Sequence, residues 1–301
     1  MELWIPITIA AAFFQNIRSA LQKVLKEALS DTGATFVRFG FGFPLALAYL
    51  AFLVAWLDEP LPEPNSSFLV FGLMGGTSQI LATFLLVRLF SLRNFAVGTA
   101  YSKTEPIQAA VFGFVLLQES LDLQAGLAIA LSTLGVCALS VARSDWTRAS
   151  LTRAVIGRPA LIGLASGALF GLSAVAYRSA SLSLGGEGFL IPAAYTLACV
   201  TVYQTFVMVI YLIWREPGQL GCVLQNWRPS LWVGVSGIAG SIGWFTAMTI
   251  QTAAYVRALG QIELLFTFLV SVFYFHEKVN RLEVAGISAI VVGLVYLLSM
   301  G

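Results

Sequence analysis

The chain has 301 residues, of which 58% are hydrophobic and only 11% charged, against about 25% charged in an average soluble domain. Its apolar residues fall into blocks long enough to cross a bilayer, and these fill most of the chain, which excludes a folded soluble domain. The formal net charge of +2 says little about partners because almost all charge sits in short loops; no nucleic-acid partner is expected.

Taken in order, the blocks are at about 3–21, 33–56, 67–87, 95–118, 123–142, 160–180, 188–213, 231–251, 254–275 and 282–299. Each is near the roughly 20 residues that a spanning helix needs. The reading is an all-α membrane protein of ten transmembrane helices. The first block follows Met1 and Glu2 without a basic leader, so it does not read as a cleavable signal peptide. Cys137, Cys199 and Cys222 show no pairing pattern, and the first two read as small apolar packers. Trp4, Trp56, Trp146, Trp214, Trp227 and Trp232 all lie near block ends, where interfacial tryptophans sit.

One set of loops holds Lys23, Lys26, Arg88, Arg93, Arg143, Arg148, Arg153, Arg158, Arg215, Arg228, Lys278 and Arg281. The opposite set holds at most Arg178 and Arg257, together with Asp58, Glu59, Glu63 and Asp122. Lys and Arg near span ends mark the cytoplasmic side, so both termini are expected outside the cytoplasm. The expected location is a bacterial inner (plasma) membrane, crossed several times.

The two parts of the chain echo each other. Glu105 and Glu119 lie fourteen apart, Glu263 and Glu277 repeat that spacing, and the offset between the pairs is 158 residues. Gly135 and Gly293 keep this offset, as do Gly76 and Gly234. Ala12 to Phe14 answers Ala168 to Phe170 at an offset of 156. Five spans per half is an odd number, so the second copy crosses in the opposite sense. The expected organisation is a five-helix repeat at 1–142, a basic cytoplasmic linker at 143–159 and an inverted five-helix repeat at 160–301. Carriers built this way bind substrate near the midplane, between the repeats.

Two five-span repeats, Pro106 followed thirteen residues later by Glu119, and a glycine-containing fifth span with Gly126 and Gly135 make the chain resemble the EamA-type transporters of the drug/metabolite transporter superfamily. Glu277, Gly286 and Gly293 match in the second half, whereas Leu264 stands where that family often has Pro. The proline break is therefore not carried over to the ninth span. The resemblance covers nearly the whole chain and implies a carrier, in a family whose substrates are diverse.

The candidate binding residues are polar groups at mid-span, where a charge costs roughly 2.5–3.5 kcal/mol on insertion scales and usually faces a cavity or a partner. Lys103 and Glu105 lie about nine and eleven residues into the fourth block, near half depth at about 1.5 Å per residue. Gln261 and Glu263 occupy the matching places in the ninth. Residues two apart on a helix do not face each other, so Lys103 and Glu105 should not pair directly, while Tyr101 shares a face with Glu105. Pro106 removes a backbone donor and is expected to bend the span, freeing a carbonyl to line a cavity. The alternative for these charges is a buried structural ion pair between helices. Gln15, Asn16, Gln79 and Trp244 complete the mid-depth set, with Trp244 a cavity wall or a stacking surface for a cationic group. Arg38 meets an anionic group or snorkels to the interface. Glu119 and Glu277 read as capping or gate contacts at the membrane edge.

No enzyme constellation is present. One histidine excludes two-histidine metal sites, no span has a central Asp, and no GxSxG elbow occurs. No cofactor is expected. The expected function is a secondary transporter, exporting a small organic metabolite that is zwitterionic or amino-acid-like, as a monomer or homodimer. One carboxylate that changes protonation as access alternates suffices to use protons as the coupling ion. The competing readings are an efflux carrier for organic cations and other drugs, and a receptor or scaffold that transports nothing.

Overall fold

A computed structural model describes residues 2–89, 101–142, 157–186, 188–273 and 280–299. Among these residues the fold is all-α, with no strand. The first part contributes α1 (Trp4–Leu25), α2 (Asp31–Gly40), α3 (Phe43–Leu57), α4 (Ser66–Leu89), α5 (Glu105–Leu117) and α6 (Leu123–Ala142). The second contributes α7 (Arg158–Ser183), α8 (Leu190–Arg215), α9 (Gln219–Gln225), α10 (Trp227–Ile250), α11 (Ala253–Leu259), α12 (Glu263–Phe273) and α13 (Arg281–Leu298).

Local chemistry places the ends of these helices. The Ser30 side chain accepts from the backbone N–H of Gly33 and starts α2. Pro44 in the first turn of α3 has no N–H to give, so α2 and α3 meet at a joint over Phe41 and Gly42. Asn280 and Glu283 form a reciprocal capping box at the start of α13.

By length and composition, α2–α3 taken together, α4, α7, α8, α10 and α13 can each cross a membrane; α5 and α6 are shorter apolar helices. Polar residues in α1 (Gln15, Asn16, Arg18 and Gln22) lower its hydropathy, and the ninth predicted block is broken into α11 and α12. The outward faces carry large apolar side chains: Trp56 is 67% exposed, Phe114 64% and Leu123 76%. Such contiguous apolar exposure marks a surface made for lipid.

The packing partners follow the duplication. The first helix, α1, packs along α10, which is the third predicted block of the second part; α4, the third predicted block of the first part, packs along α7, the first of the second. The last helices, α6 and α13, pack on each other. A Cβ added to Gly135 would lie 2.6 Å from Gly286 O and 2.8 Å from Ile290 N. One added to Gly293 would lie 2.9 Å from both Ala128 O and Ser132 N. Residues 128, 132 and 135 map onto 286, 290 and 293 at the offset of 158. The same backbone contact is therefore made twice, with the two parts exchanged, and only glycine lets the helices approach so closely.

Candidate functional site

Two interrupted helices meet at the centre of the bundle. In the first part the chain makes a turn at Lys103 and Thr104, and α5 begins at Glu105 with Pro106 beside it. Pro suits the first turn of a helix and cannot continue one from before. In the second part, α11 ends at Leu259, a single 3-10 turn spans Gly260–Ile262, and α12 begins at Glu263. This break forms without proline. Gly260 permits it by lying against Trp244, whose Cη2 would stand 2.5 Å from a Cβ at that position. Helix α11 also packs directly on α5, which brings the breaks together.

Each carboxylate therefore opens a helix, Glu105 for α5 and Glu263 for α12. The unpaired N–H groups of a first helical turn favour negative charge there. Lys103 pairs with Glu263 across the breaks, not with Glu105. Gln15 Nε2 donates to the other Glu263 oxygen at 3.0 Å, and Asn16 Nδ2 to its carbonyl at 3.4 Å. Glu105 has Arg257 as its counter-ion, with Nε and Oε1 2.9 Å apart and the N–H turned off the line between them. The Arg257 guanidinium lies 4.7 Å from the centre of the Trp244 ring. Gln261 Nε2 donates to Lys103 O at 3.2 Å and to Thr133 Oγ1 at 3.4 Å. That bond satisfies a carbonyl released by the break in the first part.

A cavity of about 220 Å³ adjoins this cluster. Lys103, Glu105, Glu263, Gln15 and Asn16 line it, joined by Arg18 and Arg257. Trp244 and Gln261 border a narrow recess beside it instead. Tyr101 lines neither space, because the turn at Lys103 and Thr104 cancels the four-residue spacing that would have aligned it with Glu105. Gln79 belongs to a separate buried network: Tyr177 and Gln204 both donate to its Oε1, at 3.1 and 2.9 Å. Arg38 is buried, with 5% exposure, and donates to Thr83 Oγ1 at 3.2 Å. It neither lines the cavity nor reaches a surface.

The ends of the bundle differ. Toward the C-terminal ends of α1 and α4 the cavity is bordered by Ser19 and Leu86, near Lys23 and Arg88 in the last turns of those helices. At the opposite end Arg178 of α7 closes three elements together. Its Nε donates to Glu119 Oε1 at 2.6 Å, and its Nη1 to the carbonyls of Met248 and Gln251 at 2.7 and 2.9 Å. A cation suits the orphan carbonyls at a helix C-terminus. Glu277 and His276 lie outside the described residues.

Two charged cavity residues escape the sequence reading. Arg257 counts there as a loop residue, yet it is 7% exposed and faces Glu105. Arg18 goes unremarked, although an arginine inside an apolar block is the same signal that singles out Lys103 and Glu105. Among the described residues no group of three or more His, Cys, Asp or Glu is placed to hold a metal ion.

Comparison with known proteins agrees with this architecture. The model of the EamA-like transporter family matches residues 2–141 and again 157–299. A solved crystal structure superimposes with a TM-score of 0.67 at 17% identity, covering 97% of this chain and 99% of that one, which is a likeness of fold. No curated protein matches.

Proposed function

The chain belongs to the EamA-like transporter family, and from that membership we propose a secondary transporter that carries a small organic metabolite outward by alternating access. The carrying observation is the meeting of two interrupted helices, one from each repeat, at a cavity of about 220 Å³ that their charged residues line. Broken helices whose N-termini converge on a central chamber are how such carriers bind charged solutes. In this reading ten helices form two inverted repeats, and the basic loops face the cytoplasm.

The asymmetry between the two ends supports an inward-facing state. The cavity extends toward the basic loops, whereas Arg178 ties Glu119 to the end of α10 on the far side. Solute enters from the cytoplasm, and release outside requires Arg178 to let go. Lys103 and Glu263 join one repeat to the other, so their pairing changes as the repeats rock. Protonation of Glu105 or Glu263 supplies the coupling to a proton gradient.

Solute flux into proteoliposomes tests this. Lys103→Met and Glu105→Gln should each lower flux at least tenfold while the purified protein elutes and melts as a folded species. Unchanged flux in both variants removes the central charges from the mechanism.

A further inference from the structure

Among the described residues, six acidic and basic side chains crowd the centre of the bundle, and four of them cancel in pairs: Lys103 with Glu263, and Arg257 with Glu105. Arg18 and Arg38 remain. Arg18 is 4% exposed, lines the cavity, and its Nε has no hydrogen-bond partner. No described carboxylate lies within ion-pair distance of either arginine. Arg38 donates to the Thr83 hydroxyl and lies 5.3 Å from the centre of the Phe39 ring. Their stems flank one bare position on α10: a Cβ on Gly237 would stand 3.4 Å from Arg38 Cγ and 3.5 Å from Arg18 Cδ. Among the described residues, these two guanidinium groups share a buried region without a counter-ion.

Burying an unpaired charge is strongly unfavourable, and guanidinium stays charged because its intrinsic pKa is so high. Such a group persists where something else completes its charge for part of the working cycle. Arginine presents a rigid fork of donors that matches a carboxylate in two parallel bonds. The cavity volume, about 220 Å³, suits a compact solute. From this geometry we infer that the cargo is a small, net-anionic carboxylate and that Arg18 grips its carboxylate group, with Arg38 behind it adding positive potential.

This rests on the transporter reading and narrows its substrate class. A zwitterion or an organic cation would leave the excess positive charge of the cavity unmet or worsened. Ser19 of α1, whose hydroxyl donates to Gln15 O at 2.9 Å, and Ser102 border the same space.

The test uses the purified full chain in detergent, with acetate, succinate, citrate and inorganic phosphate as probes against choline and putrescine. Succinate or another carboxylate should raise the melting temperature and bind saturably, while both cations fail. Arg18→Gln should weaken that binding at least tenfold, and Arg18→Lys should restore part of it. Arg18→Gln should also melt at or above the wild type without ligand, since it removes an uncompensated buried charge; a purely structural arginine would give a lower value. Stabilisation by the cations alone overturns the inference, as does stabilisation by no carboxylate, or a ligand-free Arg18→Gln protein that melts well below the wild type. Phosphate binding without carboxylate binding also overturns it. Carboxylate binding lost in Arg18→Gln, with no flux in proteoliposomes, would sink the transporter reading and leave the site standing. Flux of a cation with no carboxylate binding would do the reverse.

Discussion

Gln261 donates a hydrogen bond to the backbone carbonyl of Lys103 at 3.2 Å, and the two residues stand at equivalent positions of the two repeats, 158 apart. Equivalent residues can touch only where an axis relating the repeats passes between them. The central charges gather around this point, yet they break the symmetry: one repeat supplies Lys103 where the other supplies Gln261. A symmetric framework thus holds an asymmetric set of charges, which lets one repeat grip the other through the pair of Lys103 and Glu263.

That pair should behave as a coupled unit. Lys103→Met or Glu263→Gln alone strands a partly buried charge and should destabilise the protein by about 3–5 kcal/mol. The double variant should recover most of the loss. Thermal melts of the four proteins in detergent give the coupling energy, and strictly additive losses would argue against the pairing.

The contact of α6 with α13 depends on bare glycine. Gly135→Leu or Gly293→Leu forces a side chain where backbone atoms lie 2.6–2.9 Å from a first carbon, and each should cost about 1–3 kcal/mol. Gly126→Ala meets nothing within 4 Å and should be neutral or stabilising by up to about 1 kcal/mol. Melting temperatures would rank the three, and equal effects would contradict the packing described.

Release of the Arg178 clamp should open the far side. In a background with Cys137, Cys199 and Cys222 replaced, a cysteine at Thr249 should react several-fold faster with an impermeant maleimide added outside once Arg178 becomes Gln. Reactivity that does not change would mean the clamp is not what closes that end.

Orientation can be read with reporters. A fusion at Ser150 should report the cytoplasm and one at Gly301 the opposite side, because the basic loops cluster with the former. A cytoplasmic signal at Gly301 would reverse the direction assigned to the cavity.

Much of this architecture follows from the linear chain. Long apolar blocks must become helices in lipid, since unsatisfied backbone groups are too costly there. An offset of 158 residues shared by glutamates and glycines discloses the duplication before any fold is known, and ionisable residues inside apolar blocks single out Lys103, Glu105 and Glu263. Pairing was not legible. Helical periodicity relates a residue only to neighbours on its own helix, and even that failed for Tyr101, where the chain turns at Lys103 and Thr104. That Lys103 meets Glu263, that Arg257 turns inward onto Glu105, and that Arg18 has no counter-ion among the described residues depend on where the two breaks lie relative to each other. The break at Gly260 has no proline to announce it, and the glycine there lets the ring of Trp244 pack against the chain from another helix. Partners across a bundle are chosen by how helices dock, and docking is a property of the whole assembled surface rather than of any one segment.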